Sequence, residues 1–287
     1  QHLADLLMRE NFTVIGMGKG ACRLPFSPDG RFRYYTADIR YEYEVHDIFL
    51  QEQPDVVVHA AAMTQVDECE LNPALCEETN VNGTAHLLTN SELFSGHFIY
   101  VSTDFVFDGA TGMYAEEDDL NPVNFYGFTK MQAESLAATS EIPFAIIRTC
   151  LVYGRALSGS RSNIITWVKD NLQAGKNIKV VNDQWRTPTY VKDLAKGILL
   201  VIRQKSKGIF HLSGAEKMTP FMMANTVADY FKFDKTLIEE VTAATFSQPA
   251  RRPPKTGFVI DKAKSLLGYQ PCTFQEGLAD TFAGSIS

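Results

Sequence analysis

Several absences narrow this 287-residue sequence before any motif is read. It holds no run of about 18 apolar residues, so no membrane-spanning helix is expected. No signal-peptide pattern, internal repeat or low-complexity tract stands out. Positive charge is not in excess: 27 Lys and Arg face 34 Asp and Glu, a net charge of -7. That balance argues against a general binder of nucleic acid or anionic membranes, and an anionic nucleotide would need a local basic site. Cysteine is scarce and odd in number: Cys22, Cys69, Cys76, Cys150 and Cys272, with no CxxC pair. Neither a zinc site nor a disulfide framework is indicated, no metal is expected, and a cytoplasmic home is the simplest. What remains is a chain with 45% hydrophobic and 21% charged residues, enough for one large domain or a domain with a smaller lobe.

Apolar periodicity alternates along the chain. Leu3, Leu6 and Leu7 mark a helix, Phe12 to Ile15 a strand, Arg33 to Ala37 a strand, Val45 to Leu50 a helix and Asp55 to His59 a strand. A helix through Leu75, Val81 and Leu87 comes next, then a strand at Phe98, a helix at Tyr126 and a strand from Phe144 to Arg148. Such alternation predicts an α/β fold, a doubly wound parallel sheet of Rossmann type. Beyond Tyr153 the order loosens into helices at Ile164 to Leu172, Val191 to Ile202, Thr219 to Phe231 and Phe274 to Phe282. Short strands are expected at Ile178 to Val181 and Ile209 to Leu212. The expected division is a dinucleotide-binding domain over residues 1–154 and, over 155–287, mainly a smaller substrate-binding lobe.

The chemistry concentrates in two segments. Tyr126-Gly127-Phe128-Thr129-Lys130 puts a phenol and an ammonium four residues apart, hence on one helical face. An adjacent cation favours phenolate and would draw the tyrosine toward a working pKa. Upstream, His97 to Gly109 reads as a buried strand that runs out into Ser102, Thr103, Asp104 and a glycine turn. In an open parallel sheet, ligands sit beyond the carboxyl ends of the strands.

In order along the chain stand Val58 to Asp67, Asn80 to Thr84, Ser102 to Gly109, Tyr126 to Lys130, Arg148 to Gly154 and Val181 to Thr189. Together they resemble the extended short-chain dehydrogenase/reductases, and among them the dTDP-4-dehydrorhamnose reductase group. The resemblance implies an NAD(P)-dependent oxidoreductase acting on a nucleotide-linked 4-keto sugar. Tyr126 would protonate the developing alkoxide, Lys130 would support the phenolate and hold the nicotinamide ribose, and Thr103 would hydrogen-bond the same oxygen. Thr64, Asp104, Phe105, Arg186 and Arg252 would meet the substrate, the arginines as forked donors to phosphate. Asn82 would help order the cofactor site, Asp38 and Ile39 would meet the adenine, and the small Ala60, Ala61 and Ala62 would let the cofactor approach the backbone.

One absence bears directly on that reading. The Gly-x-x-Gly-x-x-Gly turn that receives a pyrophosphate between the first strand and first helix of such a fold is not in the sequence. Gln1 to Leu7 looks like the interior of that first helix, so the central strand and its glycine loop are expected to lie outside the 287 residues; a sheet without them would expose two strand edges. At the end of the next strand, Lys19 and Arg23 occur without a carboxylate, which favours NADPH over NADH.

Two departures from the family pattern touch the sugar pocket. Phe105 and Leu151 stand where the reductases carry Tyr and Trp, so the substrate is expected to be a nucleotide sugar of some other kind. The similarity of His211 to Thr219 and of Arg252-Pro253 to the regulatory β subunit of methionine adenosyltransferase keeps open a non-catalytic, dinucleotide-binding role. A nucleotide-sugar epimerase or dehydratase is the other enzyme compatible with these motifs, and a homodimer is the assembly to look for.

Overall fold

The computed structural model describes residues 1–26, 30–94, 96–159 and 162–283. The chain begins with α1 (His2–Arg9), β1 (Val14–Gly18), β2 (Phe32–Thr36), α2 (Glu42–Glu52) and β3 (Val56–His59). Two short helices, α3 (Val66–Leu71) and α4 (Pro73–Glu77), pass through a π turn at Glu78–Asn82 into α5 (Gly83–Phe94). Then come β4 (His97–Thr103), α6 (Phe125–Thr139), β5 (Phe144–Thr149) and β6 (Val152–Tyr153). The remainder is α7 (Ile164–Gln173), β7 (Ile178–Val181), β8 (Thr189–Tyr190), α8 (Val191–Gln204), β9 (Gly208–His211), α9 (Pro220–Phe231), β10 (Ile238–Val241) and α10 (Phe274–Phe282).

All six strand pairings among these elements are parallel. Parallel neighbours need long crossovers, which place helices on both faces of the sheet and bury its strands. The principal sheet runs β3-β4-β5-β9, and β4 lies inside it with every residue but Val101 buried. Its side chains alternate in destination, as the period of two requires. Phe98 and Tyr100 pack with Val45, Phe49, Leu88 and Ala133 on one face. Ile99 packs with Ile147, Val201 and Phe210 on the other. A separate core, built from Val168 of α7, Val180 of β7, Val227 of α9 and Leu278 of α10, forms the second lobe.

The Rossmann-type α/β fold is therefore present. The helix expected through Leu75, Val81 and Leu87 runs without interruption from Pro73 to Phe94, widening to a π turn at Glu78–Asn82; only the short α3 is set off from it, at Asn72, because Pro73 sits at a helix start, where its missing N–H is not needed. Strand β10 was not anticipated; it pairs with β7 while Glu239 and Glu240 point to solvent, which hides its apolar signal. The division at residue 154 is crossed by the chain. β9 pairs with β5 (Ile146↔Ile209), and Ile198, Phe258 and Tyr269 lie in the first core, so later segments return to complete the sheet.

Among the described residues, β1 pairs with β2 alone, and β3 with β4 alone. Their remaining edges border one groove of about 370 Å³, lined by Ile15, Met17, Phe49, Val56, Val57 and Val58. The three valines are only half-buried, unlike the residues of β4.

A wholly internal ion pair ties α6 to the sheet. Arg148 Nη2 donates to Glu134 Oε2 at 2.8 Å and its Nε to Oε1 at 3.1 Å, while Ser102 Oγ donates to the same carboxylate and Arg148 Nη1 reaches the Glu116 carbonyl at 3.2 Å. Both side chains are at most 4% exposed. Breaking such a pair leaves a buried charge without compensation. Arg148→Met is expected to cost about 3–5 kcal/mol in equilibrium denaturation. Adding Glu134→Gln should recover part of that loss; a single variant as stable as the parent would show that the pair is dispensable.

Candidate active site

Three elements meet at the carboxyl end of β4: the turn that follows it, the first turn of α6, and the segment between β3 and α3. Thr103, the last residue of β4, accepts from Phe105 N at 3.3 Å and so caps the 3-10 turn Asp104–Val106. Asn124 caps α6, its Oδ1 accepting from Gly127 N at 2.8 Å, and its Nδ2 donates to the Arg251 carbonyl at 2.8 Å. α6 then starts beside the turn because residue 127 has no side chain. A Cβ there would lie 2.0 Å from the Phe105 carbonyl oxygen. This close approach sets Tyr126 edge-on to Phe105, with ring centres 6.0 Å apart, and brings its phenol to the Thr103 hydroxyl.

Burial pushes the Tyr126 phenol well above its ordinary pKa; the Thr103 hydrogen bond pulls it back, while Asp104, Cys69 and Cys76 push it further up. At neutral pH the phenol is therefore protonated. The expected lowering by Lys130 does not appear among the leading influences. Lys130 Nζ donates to the Val101 carbonyl at 2.8 Å and lies 4.0 Å from the centre of the Tyr100 ring. Burial lowers this ammonium to about 7, opposed by Glu134 and Cys76. Desolvation thus acts on both members of the pair and favours their neutral forms.

The sequence reading missed Asn80. It is 1% exposed; its Oδ1 accepts from Met63 N at 2.8 Å, and its Nδ2 donates to Met63 O at 3.1 Å and to Thr129 Oγ1 at 3.0 Å. It therefore fastens the loop after β3 to the turn of α6 that follows Tyr126. Asn82, singled out instead, is exposed in the π turn. The signal available was Asn80's spacing of four from the buried Thr84, which places both on the inward face.

The other anticipated residues divide by location. Lys19 is exposed and 3.2 Å from Asp38, whose carboxylate Arg40 and Lys19 hold far below the usual range. Arg23 is exposed, Ile39 buried, and Ala60 and Ala61 line the groove beside β3, with Ala62 half-buried next to them. Thr64 is half-buried on the loop toward α3. Asp104 and Arg186 have different work from that expected. Arg186 spends its guanidinium on the carbonyls of Trp185 (2.8 Å), Pro253 (2.8 Å) and Pro254 (3.2 Å), with Nε 3.6 Å from Asp104. Asp104 also accepts from Thr256 and Cys150. Arg186 and Asp104 are buried, 5% and 4% exposed, and join the first lobe to the segment around Pro253. Arg252 instead pairs with Asp67 and lines an open cavity of about 510 Å³ on the second lobe. Trp167 and Phe246, about 40% exposed, border the same cavity with Lys179 and Gln184.

The parallel sheet with helices on both faces, and the Thr103, Tyr126 and Lys130 arrangement at the end of β4, define an extended short-chain dehydrogenase/reductase. The family described as RmlD substrate binding domain matches residues 1–286, and the chain belongs to it. Methionine adenosyltransferase 2 subunit beta of Bos taurus is 30% identical over 243 residues, 83% of this chain and 72% of that protein. The probable low-salt glycan biosynthesis reductase Agl14 of Haloferax volcanii is 31% identical over 251 residues, 85% of this chain and 82% of that protein. Among solved structures, dTDP-4-dehydrorhamnose reductase from Bacillus anthracis in complex with NADP aligns with a TM-score of 0.83 at 25% identity, covering 94% of this chain and 98% of that one.

Gly127→Ala tests the close approach. The added methyl cannot coexist with the Phe105 carbonyl, so α6 must shift. The variant is expected to lose about 2–4 kcal/mol of stability, and a crystal structure should show Tyr126 displaced from Thr103; an unshifted helix at parental stability would contradict this geometry.

Proposed function

We propose that this chain is an NADPH-dependent reductase of a nucleotide-linked 4-keto sugar, related in chemistry to dTDP-4-dehydrorhamnose reductase. The observation that carries the reading is the protonated Tyr126 phenol at the Thr103 hydroxyl, at the end of a central parallel strand. A proton donor is what reduction of a ketone requires at its oxygen. Nicotinamide, when bound, supplies the hydride. Tyr126 delivers the proton to the carbonyl oxygen as it becomes an alcohol, and Thr103 orients that oxygen. The ammonium of Lys130 holds the ribose and stabilises the phenolate left behind.

The described residues suit both ends of a dinucleotide. Lys19 and Arg23 lie at the adenosine end with Asp38 and Ile39, where their charge favours a 2'-phosphate and thus NADPH, NADH being the alternative. Ala60, Ala61 and Ala62 leave room beside β3, and Asn82 borders the same end of the sheet. The grip on the diphosphate is not among these residues. Residues 1–154 then act mainly as the dinucleotide half, and the second lobe receives the substrate nucleotide in the cavity lined by Trp167, Phe246 and Arg252. Aromatic faces suit a nucleobase, and an arginine suits phosphate. Thr64 and Phe105 face the sugar in this reading. No described helix is long and apolar enough to cross a membrane, and a cytoplasmic homodimer without nucleic-acid partners fits the composition.

A regulatory role is the second reading, favoured by the likeness to the methionine adenosyltransferase subunit. The two separate in one assay. NADPH oxidation with a panel of 4-keto nucleotide sugars should proceed for the parent chain and fall about 10²- to 10⁴-fold in Tyr126→Phe, with dinucleotide affinity little changed. Dinucleotide binding without turnover on any ketosugar, together with altered activity of an added methionine adenosyltransferase, would replace the reductase by the regulator.

A further inference from the structure

We propose that Tyr100 is the positioning residue of Lys130: its ring face holds the lysine in its charged form and fixes where the ammonium stands beneath the site. The proposal rests on the reductase reading for its catalytic meaning but not for its geometry. Tyr100 is on β4, wholly buried, with its ring centre 4.0 Å from Lys130 Nζ. Only one oxygen, the Val101 carbonyl at 2.8 Å, accepts from that ammonium among the described residues. A lysine has three N–H donors, and a buried ammonium with one acceptor is poorly compensated. The negative face of an aromatic ring supplies the missing compensation, and its strength rises as water is excluded.

The ring is itself held in place. His59 on β3 lies 5.4 Å from it, centre to centre, and His59 Nε2 is 2.9 Å from Thr84 Oγ1 on α5, which donates to the Asn80 carbonyl. Burial and the Lys130 charge keep His59 neutral, lowering it to about 3, so no second cation competes for the ring. The other titratable groups around Lys130 are Glu134 and Tyr126 on α6 and Cys76 on α4. Glu134 is committed to Arg148 and Ser102, and Tyr126 and Cys76 are weak acids. No neighbour therefore offers a free carboxylate in place of the ring. Tyr100 thereby links two roles that the sequence motif joins only by spacing: the strand supplies the cation's seat, and the helix supplies the cation.

The sign of the effect is definite. Burial already depresses the lysine, so the ammonium is lost as pH rises through its midpoint near 7. Removing the ring removes support for the charged form alone and moves the midpoint further toward acid. Selective ¹³C labelling of lysine side chains, read by NMR across pH, reports the Lys130 midpoint in the full chain without any turnover. Tyr100→Phe, which keeps the ring, should leave it in place. Tyr100→Leu should move it down by about one pH unit. Pentafluorophenylalanine at position 100 keeps the ring's volume and reverses its quadrupole, so it should move the midpoint as the leucine does even if the leucine variant does not fold. An unmoved midpoint in the fluorinated protein would overturn the proposal. If the chain reduces a ketosugar, the alkaline fall of its pH–rate profile should shift by the same amount; a shifted titration without turnover would retain the seat and discard the reductase.

Discussion

Everything at the site depends on the contact between the first turn of α6 and the turn that ends β4. The Phe105 carbonyl occupies the space that a side chain at residue 127 would need, at 2.0 Å from an ideal Cβ. A strand end and a helix start meet at that distance only when one of them is bare backbone. The caps then fix rotation as well as distance: Thr103 closes the turn and Asn124 closes the helix. With both ends fixed, Tyr126 has one place to be, beside Thr103. The buried Glu134–Arg148 pair, two turns along α6, prevents the far end of the helix from pivoting about that contact.

Burial then sets the electrostatics. The phenol of Tyr126 rises, while the ammonium of Lys130 and the imidazole of His59 fall. In each case the dominant cause is desolvation, which penalises the charged form. A site held mostly neutral suits a reaction in which charge appears only as the ketone oxygen becomes an alkoxide, because fixed donors then act on it in a medium that screens little. The buried charged residues around that point are already committed to partners within the chain. Arg148, Glu134, Arg186 and Asp104 are buried and paired with one another or with carbonyls. They serve as struts between helix, strand and second lobe, so their charges are spent before a substrate arrives.

This difference explains what the sequence could reveal. Thr103, Tyr126 and Lys130 were legible because their positions follow from local periodicity: a strand end, and one helical face. The buried partners of Arg186 and Asp104 were not legible, because a forked cation near a loop looks the same whether it meets a phosphate or three backbone carbonyls. Only the return of Pro253 and Pro254 to its side, some 67 residues later in the chain, decides the matter. Asn80 and Asn82 differ by two residues and by nearly everything else, since the π turn carries one inward and the other to solvent. The return of β9 to the edge of the principal sheet was visible as a short strand but not as a partner of β5, since pairing is a long-range property that no local pattern encodes.

The same logic separates what the two halves of the molecule specify. Chemistry at the end of β4 is set by short-range geometry that tolerates little change, as the space at Gly127 shows. The open cavity of the second lobe is bordered instead by exposed side chains, Trp167, Phe246 and Lys179 among them, none of which belongs to the lobe's core as Leu278 or Val227 does. Residues free of packing duty can change without disturbing the core. Phe105 and Leu151 lie between these regimes. Phe105 packs on Tyr126 and under Arg186, with the guanidinium 5.6 Å from its ring centre, so the loss of a hydroxyl there leaves the scaffold intact while removing a polar contact. Leu151 is 36% exposed on a backbone with φ of 38°, at the chain's passage from sheet to second lobe. Neither side chain caps the turn or the helix that set Tyr126 beside Thr103, so a change at either position alters the surroundings of the phenol and leaves the contact that places it.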